Sequence, residues 1–418
     1  MDQFRGLLAV LLLLVAGFLL STNRRAIRPR IVVAGVLLQL IIAWACLSFP
    51  PVVAAFQGFA TGVTKVISFA DEGTVFLFGK LADASQPWGF VFAVKVLPVI
   101  IFFASLMSVL YHVGVMQPVV ASLAWVLRRT LGVTGAEALS GAANIFLGQT
   151  EAPLTVKPFI AGMTRSQIMA VMTGGFATIA GSVLAAYVGI LGGESEEGRI
   201  LFAKHLMTAS IMSAPAGFVM AKIMLPETEE PPAEDLEQLR RERGEGARNV
   251  VDAAAAGASD GLRLAANVGA MLVAFVALIA MINWPLSYLG DRVGVEALTL
   301  QRLLGWAFMP VAWCMGVERA DCPGFGAVLG QQIVATEFVA YLDLSKHIRE
   351  GTMSTRSCQI ATYALCGFAN LPSIAIQIGG LSAMAPSRRS DFASIAPRAM
   401  VAGACACWMT GAVAGLFL

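Results

Sequence analysis

Charge is scarce in this chain. Only 13% of its 418 residues are Asp, Glu, Lys or Arg, against roughly 25% in an ordinary soluble domain. No basic tract interleaved with aromatics occurs, and the formal net charge is only +2, so nothing marks a nucleic-acid-binding surface. That class is excluded. Histidine is nearly missing: His112, His205 and His347 stand isolated, none of them in an HExxH pattern. The seven cysteines, Cys46, Cys314, Cys322, Cys358, Cys366, Cys405 and Cys407, form no CxxC pair and have no metal-ligand spacing. They read as small packing residues in helices.

What the chain has in abundance is apolar length. Hydrophobic residues make up 57% and the mean hydropathy is +0.74, which identifies an integral membrane protein. Apolar runs fall at about 4–21, 31–49, 89–115, 168–192, 200–225, 264–286, 358–382 and 399–417, each near the ~20 residues that a crossing helix needs. Eight crossings follow. The first run resembles a signal-peptide core, but no small-x-small site follows it and Arg24 and Arg25 do. It is read as an uncleaved span.

Arg24, Arg25, Arg28 and Arg30 crowd the first loop, which the positive-inside rule assigns to the cytoplasm, with both termini on the outer, periplasmic side. The same parity puts Glu194, Glu196 and Glu197 outside, and Arg388, Arg389 and Arg398 inside. The mildly basic loop from Lys346 to Arg356 falls outside, against the rule. The hydrophilic block 226–249, acidic from Glu227 to Glu237 and then basic from Arg240 to Arg248, reads as a solvated cytoplasmic linker. Residues 53–85 carry Lys65, Asp71, Glu72 and Lys80 and are expected as interfacial helices.

Two further stretches are apolar but interrupted: 136–160, and 300–343 with a polar break at Glu318–Asp321. Each suits a re-entrant hairpin. Each is followed by a span with its own break, at Thr178 among glycines and at Asn370-Leu371-Pro372-Ser373. By parity the two hairpins enter from opposite sides. The expected organisation is residues 1–88 as scaffold, 89–225 as a first repeat, 226–250 as linker and 251–418 as a second, inverted repeat. Paired, interrupted segments in inverted halves point to a secondary transporter with its site at mid-membrane.

The first break, Asn144-Ile145-Phe146-Leu147-Gly148-Gln149-Thr150-Glu151-Ala152-Pro153, sets an amide, a hydroxyl and a carboxylic acid side by side. Consecutive residues on an intact helix point about 100° apart, so they share a face only where the helix opens. A carboxylate at the bilayer centre costs at least about 2.5–3.5 kcal/mol, and Glu151 and Glu337 both fall in such contexts. With Gln149, Thr150, Asn370 and Ser373 they form a mostly neutral hydrogen-bonding set, suited to an uncharged, hydroxyl-rich solute and poorly suited to phosphate. Carbonyls freed near Asn144 and Leu147, with the Thr178 hydroxyl, offer an all-oxygen nest for a small hard cation.

The run Asn144–Pro153, the segment Glu337-Phe338-Val339-Ala340-Tyr341, the stretch Ala364–Asn370 and Met384-Ala385-Pro386-Ser387-Arg388 closely resemble the concentrative nucleoside transporter family, from about residue 24 to the C-terminus. The resemblance implies an all-α polytopic membrane protein: a homotrimer, each protomer with eight transmembrane helices and two re-entrant helical hairpins in inverted repeats. It implies import of nucleosides down a sodium gradient by an elevator-like movement in a plasma membrane, the bacterial inner membrane. On this sequence the family's base-reading residues fall on Gln149, Thr150 and Glu151, with Val183 beside them. Its ribose-reading residues fall on Glu337, Asn370 and Ser373, with Phe368 lining the site. Its sodium ligands fall on the side chains of Asn144 and Thr178 and the carbonyls of Leu147, Thr178 and Ile179.

Two positions depart from many relatives: Thr336 stands where asparagine is common and Gln332 where lysine often is, which bears on the polar network around Glu337. A proton-coupled nucleoside transporter, a passive channel, and a membrane-embedded enzyme using Glu151 and Glu337 as acid and base are the alternatives.

Overall fold

The computed structural model describes residues 2–83, 91–193, 195–232, 247–295 and 298–418, and these form helices joined by turns, with no strand among them. Expectations for Glu194, for the boundary near residues 88 and 89, and for linker positions 233–246 lie outside the described residues.

Three helices open the chain: α1 (Asp2–Leu19), α2 (Pro29–Ser48) and α3 (Pro50–Phe78). Proline begins α2 and α3, where a missing N–H costs no intrahelical bond. The region expected to lie at the interface is therefore one continuous helix. Nothing between Pro50 and Gly79 breaks it, and with the turn Gly79–Ala82 it is long and apolar enough to cross a membrane.

After the short helix Phe92–Lys95 come α4 (Leu97–His112), α5 (Met116–Leu131) and α6 (Gly135–Ala143). From α6 the chain turns through residues 144–151 into a tight turn, Ala152–Val156, that packs back on α6. Next are α7 (Arg165–Ala177), α8 (Gly181–Gly192), α9 (Glu196–Met224) and α10 (Val250–Val293). Thr134 and Thr164 close capping boxes with Glu137 and Gln167 at the starts of α6 and α7.

The second half holds α11 (Leu300–Cys314), α12 (Cys322–Val334), α13 (Glu337–Glu350), α14 (Thr355–Ala364), α15 (Leu371–Met384) and α16 (Arg389–Ala414). Here the structure corrects the expected hairpin. Residues 300–343 hold not one break but two: Glu318–Asp321 belongs to the turn by which α12 packs on α11, and a further break at Ala335–Thr336 starts α13. That second break carries Glu337.

Among the described residues, seven helical stretches are long and apolar enough to cross a membrane, with Phe4–Leu19 and Leu371–Met384 as shorter apolar helices. The expected span 358–382 is two half-helices, α14 and α15, interrupted at residues 365–370. The span 168–192 is likewise split between α7 and α8 at Thr178–Ala180.

The two interruptions meet. A Cβ on Gly367 would lie 2.6 Å from the Phe176 carbonyl oxygen, so only glycine lets the second break approach the end of α7. The Cys407 thiol spans both, 3.6 Å from the Ala177 oxygen and 3.7 Å from the Cys366 oxygen. Tyr187, Tyr341, Tyr363 and Phe176 are fully buried around this crossing.

The linker does not begin as a solvated segment. The Glu227 side chain is only 7% exposed; it lies 3.6 Å from Lys222 Nζ and accepts from the Thr164 hydroxyl at 2.9 Å. Lys222 also pairs with buried Glu137 and donates to Ser166 Oγ at 3.0 Å. One buried cation is thus shared between two carboxylates where α6, α7 and α9 meet.

Candidate functional site

The polar side chains singled out from sequence cluster where the helices break. Glu337 is the first residue of α13, only 3% exposed, where the positive end of the helix favours an anion. Its carboxylate accepts from Asn370 Nδ2 at 2.7 Å on one oxygen and from the Tyr187 hydroxyl at 2.8 Å on the other. Asn370 is in turn the N-cap of α15, its Oδ1 accepting from the Ser373 backbone N–H at 2.8 Å. Each carboxylate oxygen keeps acceptor capacity for a further donor.

From the first break, Gln149 Nε2 donates to Ser373 Oγ at 3.2 Å, joining the turn after α6 to the start of α15. Thr150 lies against Gly380, whose added Cβ would sit 2.9 Å from Thr150 Cγ2. Val183 is buried in the first turn of α8, and Phe368 is half-buried in the second break. Among the described residues Glu151 makes no hydrogen bond to the cluster: it is exposed and its carboxylate folds back to accept the Gly148 N–H.

The residues assigned to an ion lie beside this junction. Asn144, 1% exposed, has both side-chain amide atoms buried without a hydrogen-bond partner among the described residues, and sits against Gly174. Such a group calls for a partner. Thr178 terminates α7 in an extended conformation (φ −127°, ψ 165°), its hydroxyl donating to the Gly174 oxygen at 2.9 Å and keeping lone pairs free. Leu147 is half-buried and Ile179 fully buried, while Gly181 N–H donates to the Phe146 oxygen at 2.9 Å, fixing one break against the other. The donor set is uncharged oxygen, which fits an alkali cation and not a transition metal.

Sequence reasoning missed Tyr187 and Gln377. Gln377 lies four residues after Ser373, so helical spacing alone puts it on the same face; its Nε2 is 3.1 Å from both Gln149 Oε1 and the Met172 oxygen. Tyr187 has the same spacing from Val183. The two departures noted above also gain roles: Gln332 Nε2 donates to the Leu365 and Gly367 oxygens at 3.2 and 3.1 Å, capping the second break. Thr336 caps α13 through the Val339 N–H at 3.4 Å.

A G-x-S-x-G string exists at Gly257–Gly261, but it runs inside α10 and not at a strand-to-helix elbow. There a Cβ on Gly261 would meet Ile101 Cα at 2.7 Å, so the glycine serves packing on α4. The described residues hold no cluster of three His, Cys, Asp or Glu able to bind a metal.

Three family models cover the chain: "Na+ dependent nucleoside transporter N-terminus" over residues 8–81, "Nucleoside recognition" over 93–194, and "Na+ dependent nucleoside transporter C-terminus" over 205–415. An uncharacterized transporter of Haemophilus influenzae is 45% identical over 422 residues, covering 100% of this chain and 98% of that protein. Human sodium/nucleoside cotransporter 1 is 38% identical over 427 residues, covering 99% of this chain but 63% of the human protein. The solved structure of CNTnw in an inward-facing substrate-bound state superposes with a TM-score of 0.92 at 42% identity, covering 100% of this chain and 98% of that one. On matches of this extent, the chain belongs to the Na+ dependent nucleoside transporter family.

Proposed function

We propose that the protein is a sodium-coupled symporter that imports nucleosides across the plasma membrane by alternating access of an elevator type. The observation that carries the reading is the junction of broken helices at which Glu337, Asn370, Ser373 and Gln149 form one continuous hydrogen-bonded chain. Glu337, Asn370 and Ser373, with Phe368 alongside, hold the ribose; Gln149, Thr150, Glu151 and Val183 meet the base. Ribose hydroxyls satisfy the remaining acceptor capacity of Glu337. An analogue without them leaves buried polar groups unpaired and is rejected by a large factor.

Sodium binds next to this site, held by the Asn144 and Thr178 side chains and the carbonyls of Leu147, Thr178 and Ile179. The unpartnered Asn144 amide supports that assignment. Because the same break carries Asn144 at one end and Gln149 at the other, an ion that orders the break also orders the nucleoside contact. That shared element is the coupling.

The reading extends to a homotrimer in lipid, with both termini on the periplasmic side of a bacterial inner membrane, residues 1–88 contributing scaffold, and the repeats 89–225 and 251–418 flanking the linker 226–250. Exposed Val273, Val276, Met281 and Trp284 on α10 supply apolar surface for lipid or a neighbouring protomer.

Purified protein in proteoliposomes provides the test. An inward sodium gradient is expected to drive labelled uridine above its external concentration, chemically unchanged. Uptake that never exceeds equilibrium, or that proceeds equally on a proton gradient without sodium, would overturn the reading.

A further inference from the structure

Gln377, 1% exposed on α15, touches two acceptors. Its amide lies 3.1 Å from the Met172 backbone oxygen and 3.1 Å from the Gln149 side chain. A backbone carbonyl only accepts, so the Gln377 atom beside it is the NH2 group. That assignment fixes the next one. Gln149 faces Gln377 with its oxygen and turns its own NH2 toward Ser373 Oγ at 3.2 Å.

We infer that Gln377 is a positioning residue that sets the hydrogen-bond polarity of Gln149, and thereby the kind of nucleobase edge the transporter accepts. The inference rests on the assignment of Gln149 to the base side of the pocket. With its oxygen engaged by Gln377 and one N–H by Ser373, Gln149 offers its second N–H to the solute. It therefore favours acceptors, the carbonyl oxygens and unprotonated ring nitrogens of a base, over exocyclic amines. Gln377 donates both to the α7 backbone and to Gln149, and Gln149 donates on to Ser373, so the fixed Met172 carbonyl dictates the polarity of the pair. Neither glutamine alone can.

Uridine uptake kinetics in proteoliposomes test this with Gln377→Met, Gln149→Leu and the double variant. Methionine keeps nearly the length and volume of glutamine without its donors. Gln377→Met is expected to raise the uridine KM about fivefold with maximal rate retained, the effect of roughly one neutral hydrogen bond. In the Gln149→Leu background the same change is expected to be less than about twofold, because a residue acting through Gln149 has nothing left to act on. Gln377→Glu, which cannot donate to Met172 when ionised, is expected to show the same loss of effect in that background.

An equal factor in both backgrounds assigns Gln377 a merely structural role and overturns the inference, as does an unaltered KM in both Gln377 variants. If Gln149→Leu alone leaves the uridine KM unchanged, the assignment of Gln149 to the base falls, and this inference with it.

Discussion

Asn370 Nδ2 lies 2.7 Å from Glu337 Oε2, binding the first turns of α13 and α15 across 33 positions of sequence. Two helix N-termini thus converge on one buried carboxylate, and Tyr187 donates to its other oxygen from α8. Separate parts of the chain must come together for this anion to exist inside a membrane protein.

Replacing Asn370 with alanine removes a charge-assisted hydrogen bond and the cap of α15 together. Such bonds contribute roughly 1.5–3 kcal/mol, so uridine affinity is expected to fall about ten- to a hundredfold. Glu337→Ala is expected to abolish uptake. Both variants should still insert in the membrane and remain assembled, which size-exclusion chromatography in detergent checks; near-normal uridine uptake by either would remove the ribose assignment.

Thr178→Ala deletes the hydroxyl placed beside Asn144 while leaving the extended backbone that ends α7. The sodium concentration for half-maximal uptake is expected to rise several-fold. Uridine KM at saturating sodium should change little. Sodium titration of initial uptake rates measures both, and an unaltered sodium dependence counts against the ion site.

Lys222 pairs with both Glu137 and Glu227. Lys222→Met leaves two buried carboxylates uncompensated, a loss of about 3–5 kcal/mol. Thermal unfolding of the purified protein is expected to shift to lower temperature, with partial recovery when Glu137→Gln is added. Equal midpoints for native protein and Lys222→Met would show that the cluster contributes nothing.

Gly367 and Gly379 sit 12 positions apart and are expected to respond oppositely to alanine. At Gly367 the new methyl group meets the Phe176 oxygen at 2.6 Å, and the crossing of the two breaks must open. At Gly379 nothing lies within 4 Å, and α15 gains helix propensity worth up to about 1 kcal/mol. Folded yield and uptake should fall for Gly367→Ala and hold for Gly379→Ala.

The membrane class, the helical fold and both broken spans were legible from apolar periodicity and from polar residues stranded in it. Asn144, Gln149, Glu337 and Asn370 stand out because an apolar stretch makes each of them costly. Less legible was where a break falls. Glu318–Asp321 looks more polar than Ala335–Thr336, yet it is Thr336, able to cap a helix, that starts α13 at Glu337. Residues 53–85, read as interfacial helices from their sparse charges, form one helix as far as Phe78 because no breaker follows Pro51. Tyr187 and Gln377 were hidden because a tyrosine and a glutamine on apolar helices signal nothing until the partner across the junction is known. Glu227 reads as linker in sequence; only the position of Lys222 makes it a buried ion-pair partner.

The central claim is that ion and nucleoside share the junction of the two breaks, and binding measures it most directly. Uridine binding to the purified protein, titrated by calorimetry at rising sodium with choline replacing it at constant ionic strength, is expected to tighten at least tenfold, which is about 1.4 kcal/mol of coupling. Asn144→Ala is expected to erase that dependence while still binding uridine weakly. A uridine affinity indifferent to sodium in the native protein would contradict the account.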